Sequence, residues 1–426
     1  MQTGGRYSKS STQTPRLPRH HFYYLTRPDF LKHDHIHRRK VLALRQAGLR
    51  ASLLSFVPRQ MYLARQAEYQ AAAVGPLRRV VIVPTPEAIP TAVRRFFLSR
   101  LLVYRRVLVQ VLLVEAEPLL KLKQMRGLGN RLRCLIEHEG DIASECLYRW
   151  CCEHHLAPAD VPPPEFKPTY DYIISKEGNQ LQRADGAILV TPEHRSLWER
   201  RLQSPLASLA LPTFFDPARL RFAADARARL RAELGLGEDI LLVYSGSVSM
   251  PWQRFDSVCA FVAQLSERRL PVRLLALVHS DGHAQARESI ARAGIEAVTR
   301  LMGVSPSDIA GFLSAADIGL FLRHNHMMNR VVTSAKLGEY LAAGLPLLTT
   351  WACPYYRPFV EQHSAALALD DSLELRPDFA AGFAALVANG QNERWRAAFS
   401  AAAIAEFSED NDLHRAYVDF IRQRLE

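Results

Sequence analysis

Short apolar runs alternate with helical patterns along most of the chain. Runs such as VLVQVLLV (107–114) and ILLVYSGS (240–247) predict buried strands, because parallel strands covered on both faces are apolar almost throughout. Segments between the runs carry apolar residues at helical spacing, as residues 91–106 do. The repeated alternation of strand and helix predicts an α/β protein built on parallel sheets. At 426 residues the chain is too long for one ordinary core, so we expect two domains.

The densest pattern lies at residues 329–350, NRVVTSAKLGEYLAAGLPLLTT. Thr333 or Ser334 can cap a helix, and Lys336 then falls in its first turn, where backbone amides and a cation together favour an anion. Glu339 follows one turn later on the same face, and Gly344 predicts the helix end. The alternative is an exposed Lys–Glu pair on a surface helix, which contributes only about 0.2–0.5 kcal/mol.

The preceding segment FLSAADIGLFLR (312–323) predicts a helix end, a turn and a buried strand. Together, F-L-S-A-A-D-I-G-L and N-R-V-V-T-S-A-K-L-G-E-Y-L-A-A-G-L-P resemble the donor half of family 4 retaining glycosyltransferases. The chain resembles their S-x-K-x-x-E variant, strongly from about residue 240 onward and more weakly over residues 22–205. The resemblance implies the GT-B fold, two Rossmann-like doubly wound domains facing a central cleft.

The resemblance also implies a domain plan and an activity. We expect retaining, metal-independent transfer of a sugar from a nucleoside diphosphate sugar, a donor substrate rather than a cofactor, to a hydroxyl acceptor in polysaccharide or glycolipid synthesis. The expected parts are a disordered segment at 1–20, an acceptor-side domain at 21–205, a linker at 206–238, a donor-binding domain at 239–400 and a C-terminal helix at 401–426.

Site residues follow from the motif positions. Glu339 matches the glutamate that holds the ribose, and His138, in the loop EHEGD (137–141), matches a residue near the sugar. The resemblance makes His138, Lys336 and Glu339 the catalytic candidates. The expected donor-binding residues, several of them around the diphosphate, are Gly246, Ser247, Arg254, Val304 near the base, Arg330, Ser334, Lys336 and Glu339.

Three positions depart from the usual family pattern. Ser247 stands where many members carry an arginine, Gln253 or Arg254 lies near an expected lysine, and Val331 replaces a glutamate. The charge of Lys336 can substitute for the missing cation when two phosphates need neutralising. The departures keep open the alternative of a non-catalytic GT-B protein that binds a glycan, a nucleotide or a protein partner.

Other polar clusters have two interpretations. Asp141 serves either the site or the start of a helix. His33, His35 and His37 suggest a metal site, but solvated residues at a helix entry are the preferred interpretation. Cys146, Cys151 and Cys152 lack the spacing of zinc ligands and indicate a helix with buried or half-buried thiols. The D-x-D pattern at 410–412 precedes a helix, so we interpret it as a cap rather than a metal site. No metal site is predicted.

Composition and hydropathy limit the class of protein and its expected location. Hydrophobic residues make up 48% and charged residues 23%, as in globular proteins, and the formal net charge is +11. No apolar run approaches the ~18 residues of a membrane helix. The sequence also shows no secretory signal, so we expect a cytoplasmic protein. No nucleic-acid module is recognised, and nucleic acid is not an expected partner.

Residues 91–106 combine Phe96, Phe97, Leu101 and Leu102 with five arginines. Enzymes that resemble this chain often use lipid-linked acceptors, and a basic amphipathic helix suits docking at the inner face of the membrane. The same apolar residues are also what a helix buries against its sheet. That interpretation is preferred for Phe96 and Leu101, and the role of the arginines stays open.

Overall fold

Two parallel β-sheets form the framework of the protein in a computed structural model, which describes residues 20–32, 34–73, 77–212, 215, 217–408 and 412–426. The strands of the first sheet are β1 (His20–Thr26), β2 (Ala51–Pro58), β3 (Arg78–Val83), β4 (Arg106–Leu112), β5 (Leu132–His138), β6 (Gly186–Leu189) and β7 (Ser208–Ala210). Those of the second are β8 (Ile240–Ser245), β9 (Val272–Leu277), β10 (Thr299–Met302), β11 (Ile318–Phe321), β12 (Leu347–Thr349) and β13 (Ala366–Ala368).

The strand orders show two doubly wound sheets. The first runs β3-β2-β1-β4-β5-β6-β7 and the second runs β10-β9-β8-β11-β12-β13. Chain order therefore reverses between β1 and β4 in one sheet and between β8 and β11 in the other. Such reversals leave a crevice at the carboxyl ends of the strands, where ligands of open α/β sheets bind. The predicted α/β class with parallel sheets is confirmed.

Helices connect the strands. The first group comprises α1 (Asp34–Gln46), α2 (Arg59–Ala64), α3 (Gln66–Ala72), α4 (Ile89–Val103), α5 (Glu117–Lys123), α6 (Ile142–Glu153), α7 (Lys167–Arg183), α8 (Pro192–Leu202) and α9 (Ala224–Glu233). The second comprises α10 (Phe255–Glu267), α11 (His283–Arg292), α12 (Ile309–Ala315), α13 (Met327–Arg330), α14 (Ala335–Ala342), α15 (Arg357–Gln362), α16 (Phe379–Gln391), α17 (Glu393–Phe407) and α18 (Asp412–Leu425). None of the described helices is both long enough and apolar enough to cross a bilayer.

The chain divides into two compact units. One comprises the described residues up to Glu137 with Arg183–Gly186 and Val418–Glu426, and the other comprises His138–Gln182 and Ala187–Tyr417. The domain boundaries expected from the family resemblance stay a prediction.

The second sheet is covered on both faces. Leu241 and Val243 of β8 belong to one apolar cluster, while Leu242 and Tyr244, which alternate with them, belong to another. Successive side chains of a strand point to opposite faces, so β8 is buried throughout. This explains why its sequence is apolar without alternation, and it fixes the strand at the centre of its sheet.

Several sequence predictions need adjustment. The predicted strand at 107–114 ends at Leu112, because the chain leaves the sheet in a single helical turn at Leu113–Glu115. His37 is not solvated as expected; it is buried and its ring lies 5.0 Å from that of Tyr24. His33, Asp410, Asn411 and the segment 1–19 lie outside the described residues, so the interpretations placed on them stay predictions.

A buried ion pair network holds β8 beside β11. Asp317, at the start of β11, is fully buried and accepts hydrogen bonds from Arg227 at 2.5 Å and Arg231 at 2.9 Å. The same carboxylate accepts from the backbone N–H of Leu241 in β8 at 2.8 Å. Because both carboxylate oxygens accept hydrogen bonds, the buried charge is compensated and Asp317 ties the two strands together.

Asp317→Ala should destabilise the protein by about 3–5 kcal/mol, because it leaves two buried guanidinium groups without their carboxylate. Asp239→Ala is the matched control, since its ion pair with Arg273 is partly exposed and should contribute about 0–1 kcal/mol. Urea unfolding measures both free energies. Equal losses in the two variants would show that Asp317 has no special structural role.

Candidate functional site

The carboxyl edge of the second sheet gathers polar residues where the strand order reverses. β8 and β11 are neighbours, and parallel strands end at the same edge. Gly246 directly follows β8, and Arg323 follows β11 after one residue. The sequence therefore delivers a glycine and a cation to one crevice from strands far apart in the chain.

Lys336 reaches this crevice from the first turn of α14. Its side chain is buried, and its Nζ donates to Gln253 Oε1 at 3.1 Å. The ammonium also lies 3.9 Å from the ring centroid of Tyr244. A β-carbon at Gly246 would lie 3.0 Å from Lys336 Cε, and Gly246 has a φ of +138°, so both space and backbone conformation favour glycine there.

Arg323 is the site residue that the sequence interpretation missed. Its Nη2 donates to Gln253 Oε1 at 3.2 Å and its Nη1 to Asn329 at 3.4 Å, while the buried Nε has no partner among the described residues. Gln253 therefore accepts from both Arg323 and Lys336. The available signal was the position of an arginine immediately after the buried strand 318–322, at the edge where ligands bind.

Arg254 contributes a third cation, which is half-buried like Arg323. It adopts a left-handed backbone conformation, with φ of +50°, just before α10. Its Nη2 donates to the backbone carbonyl of Asp371 at 2.9 Å, but its buried Nε and Nη1 have no partner among the described residues. The placement of Arg254 near a phosphate site, expected from the family resemblance, stays a prediction, and these unused donors agree with it.

Positive charge dominates the electrostatics of this cluster, which we call the cation cluster (Arg254, Arg323 and Lys336). Burial lowers the pKa of Lys336 well below its usual value, and the charge of Arg323 lowers it further. Burial likewise lowers the pKa of Arg323 and of Arg254. Buried cations with unused donors are unfavourable in the free protein and become favourable when an anion enters.

Glu339 stands one turn along α14 from Lys336. Burial raises the pKa of its carboxyl, while the charges of Lys336 and then Arg219 oppose that shift. The half-buried carboxylate makes no hydrogen bond to any described residue, so its oxygens are available to a ligand. The exposed-pair alternative for Lys336 and Glu339 is wrong, because Lys336 is only 9% exposed.

Ser334 occupies the position before α14, as predicted, but its side chain makes no capping hydrogen bond. The other predicted binding residues have contacts elsewhere. Arg330 pairs with Asp160 and donates to Asn325. The hydroxyl of Ser247 contacts Ser249 at 2.9 Å.

Val304 is half-buried and packs against an apolar cluster of the second sheet. Its predicted contact with a nucleobase stays a prediction.

His138 ends β5 and is almost fully buried. Its ring packs against the rings of His194, at 4.7 Å, and Trp198, at 5.5 Å. The neighbouring Asp141 makes no capping hydrogen bond; Arg201 binds it through two N–H groups. That ion pair accounts for Asp141 structurally.

Two contacts connect the surroundings of His138 to the segment that leads into α14. The hydroxyl of Thr191, at the start of α8, donates to the carbonyl of Val331 at 2.8 Å. A β-carbon at Gly140, two residues after His138, would lie 3.1 Å from Val332. The segment that precedes α14 therefore lies close to the residues that follow His138.

The cysteine cluster lies on a helix, as predicted. Cys146, Cys151 and Cys152 are free thiols in α6, and Cys151 is buried. Within the described ranges, no group of three or more histidine, cysteine or acidic side chains is arranged to hold a metal ion.

Solved structures resemble the chain over nearly its whole length, although no protein-family model and no curated protein sequence matches it. HepE of Anabaena, crystallised with UDP, has a TM-score of 0.63 at 14% identity and covers 95% of this chain and 100% of its own. Sucrose-phosphate synthase of Thermosynechococcus elongatus has a TM-score of 0.66 at 16% identity, and the match covers 95% of this chain and 99% of that protein. WaaG, a glycosyltransferase involved in lipopolysaccharide biosynthesis, has a TM-score of 0.58 at 15% identity, and the match covers 94% of this chain and 99% of WaaG. The expected GT-B fold is confirmed.

Inorganic pyrophosphate should stabilise the protein through the cation cluster, and Lys336→Met should remove most of that effect. At 100 times its dissociation constant a ligand adds about 2.7 kcal/mol to the free energy of unfolding. Thermal unfolding with and without pyrophosphate measures the difference. Arg229→Met is the control, because Arg229 is exposed and pairs with Glu233 on its own helix. A Lys336→Met protein that responds like the parent would remove Lys336 from the site.

Proposed function

We propose that the protein transfers a sugar from a nucleoside diphosphate sugar to a hydroxyl acceptor. The observation that carries this proposal is the cation cluster near Gly246, at the point where strand order reverses. Lys336 is buried, and the half-buried Arg254 and Arg323 keep buried N–H groups without partners among the described residues. Two phosphates supply the negative charge that such a cluster lacks. The neighbours support the choice of donor, since HepE was crystallised with UDP and with UDP-glucose.

The proposed roles follow the geometry. Glu339 accepts hydrogen bonds from the two ribose hydroxyls, and the backbone at Gly246 lets the diphosphate approach Lys336. During transfer the bond from the sugar's anomeric carbon to the β-phosphate oxygen breaks, and the bond to the acceptor oxygen forms. The acceptor proton leaves with the diphosphate, whose growing charge the cation cluster stabilises. His138 faces the sugar or the acceptor.

Finer features extend the proposal. We infer a retaining, metal-independent transfer, with a glycan or a lipid-linked molecule as acceptor. Ser334 at the start of α14 assists the diphosphate.

A second candidate is a GT-B protein that binds a nucleotide or a glycan without turnover. Val331, at the position where the family resemblance expects a glutamate, is buried and apolar, and its carbonyl is engaged by Thr191. Ser247 carries no charge where an arginine is expected. Tight binding of a nucleotide sugar, with neither hydrolysis of the sugar nor its transfer, would favour this candidate.

Glu339→Ala should weaken binding of the donor by about 1.5–3 kcal/mol, on the order of 10- to 150-fold, because charged hydrogen bonds to the ribose are lost. Calorimetric titration with UDP-glucose, after a thermal-shift screen of nucleotide sugars, measures it. Glu361→Ala is the control, since Glu361 is an exposed partner of Arg357. Hydrolysis of the donor without acceptor tests turnover. If Glu339→Ala binds as tightly as the parent, the ribose assignment is wrong.

We also propose that α4 contacts a membrane surface. Leu101 is buried and Phe96 packs on Tyr23 and Phe56, as the structural alternative expects. Leu98 and Leu102, however, are 40% and 78% exposed. They follow the exposed Arg94 and Arg95 at helical spacing, which gives one face two leucines and two arginines. Such a face suits anionic headgroups above lipid tails.

Replacing Arg94 and Arg95 by glutamine should weaken binding to vesicles containing phosphatidylserine by about 2 kcal/mol, on the order of 30-fold. Co-sedimentation at two salt concentrations measures the effect, and Leu102→Ser should weaken binding further. Replacing the exposed Arg287 and Arg394 by glutamine controls for net charge. Equal recovery of the parent with neutral and anionic vesicles would rule out this surface.

A further inference from the structure

His138 belongs to a second buried polar cluster. The cluster comprises His138 at the end of β5, Glu177 on α7, and His194 and Trp198 on α8, each at most 3% exposed. Both carboxyl oxygens of Glu177, Nε2 of His138, both nitrogens of His194 and Nε1 of Trp198 have no hydrogen-bond partner among the described residues. Buried polar atoms are almost always paired, so this concentration calls for a physical account.

Glu177 and His138 face each other within the cluster. Glu177 Oε2 lies 4.0 Å from His138 Nε2, the nitrogen that is buried and unpaired. This separation exceeds a hydrogen bond by about 1 Å, which a change in the Glu177 side-chain torsions can close. His138 is therefore the nearest group that can use the carboxyl of Glu177 as a donor or an acceptor.

The charges around Glu177 leave its own charge uncompensated. Arg201 on α8 is bound to Asp141 through two hydrogen bonds, so it offsets that carboxylate first. Two further groups interact electrostatically with Glu177. Lys176, on the same helix, lowers the pKa of Glu177, and the charge of Glu177 raises the pKa of the Cys146 thiol on α6.

The pair is therefore neutral near pH 7. Burial, followed by the charge of Asp141, raises the pKa of Glu177 to about 8, against the weaker opposing charges of Arg201 and Lys176. Burial lowers the pKa of His138 well below its usual value, and it lowers that of His194 to about 4. A carboxylic acid thus faces a neutral imidazole. An acid O–H is a donor, and a neutral imidazole has one nitrogen that can accept.

We propose that Glu177 is a positioning residue for His138: its protonated carboxyl donates to Nε2 and keeps the imidazole proton on Nδ1. The proposal rests on the role of His138 in the proposed function. With Nε2 occupied, Nδ1–H is the group that His138 offers to a sugar or acceptor oxygen. The other nitrogen's hydrogen bond decides which imidazole nitrogen carries the proton.

Ionisation of Glu177 reverses this arrangement. Above about pH 8 the carboxylate accepts rather than donates, so the imidazole proton moves to Nε2 and Nδ1 becomes an acceptor. His138 stays neutral on both sides of the transition. If transfer needs a donor at Nδ1, turnover should fall about tenfold per pH unit above the transition.

Nitrogen NMR of the ¹⁵N-histidine-labelled protein, without substrate, tests the tautomer directly. His138→Gln assigns the signal. We expect the Nδ1–H form at pH 6.5 and the Nε2–H form at pH 9.5, with a midpoint near 8. Glu177→Gln keeps an amide N–H that can donate to Nε2, so this variant should hold the Nδ1–H form at both pH values. Glu177→Met removes the donor, so the Nδ1–H form should lose its dominance at pH 6.5.

Glu145→Gln, a change at a glutamate that pairs with Arg149, is the control and should leave the signal unchanged. An Nε2–H form in the parent at pH 6.5, or a parent signal without a transition, would overturn the proposal. If Glu177→Met does not fold, the parent and Glu177→Gln still decide it. The NMR result tests whether Glu177 sets the tautomer of His138. Turnover of the donor tests the proposed function separately, because a role of His138 in transfer predicts loss of turnover in His138→Gln.

Discussion

Uncompensated positive charge at the edge of the second sheet is the constraint on which the site depends. The protein buries arginines in three different ways. Arg227 and Arg231 meet the carboxylate of Asp317, and Arg396 donates to backbone carbonyls that include those of Ala316 and Ala343. Arg323 and Arg254, near the carboxyl edge of the second sheet, keep buried N–H groups without partners among the described residues, as Arg396 does at its Nε. Arg227 and Arg231 hold the strands together, whereas the proposed diphosphate would supply the counter-charge for Arg323 and Arg254.

The two arrangements are mechanically linked. Asp317 ties the start of β11 to β8, and Arg323 and Gly246 follow the ends of these two strands. Behind the site, the phenol of Tyr340 accepts from the N–H of Ser245 at 2.8 Å, which anchors α14 to the last residue of β8. Arg323 and Lys336 both donate to Gln253 Oε1, so one neutral side chain holds these two cations near each other.

Much of this could be predicted from sequence, because local pattern encodes it. Apolar runs predicted the strands, and the polar signals around Lys336 and Gly344 predicted where α14 begins and ends. The ligand-binding roles of Lys336 and Glu339 stay predictions. Arg323 was missed because its partner Gln253 is 70 residues away in the sequence. Arg330 was favoured by its position in the motif, but a pairing with Asp160, 170 residues away, engages it. Long-range charge pairing cannot be seen in a local pattern.

The buried cluster at Glu177 and the cation cluster differ in how charge that is removed from water can be neutralised. At Glu177 burial favours the neutral forms of an acid and an imidazole, so the charge is removed by proton binding. At the cation cluster two guanidinium groups cannot lose their protons near neutral pH, so neutralisation requires a ligand. The first cluster can control a proton without any partner, whereas the second is complete only with an anion. The segment that leads into α14 lies against Thr191 and Gly140, near the end of β5 that carries His138.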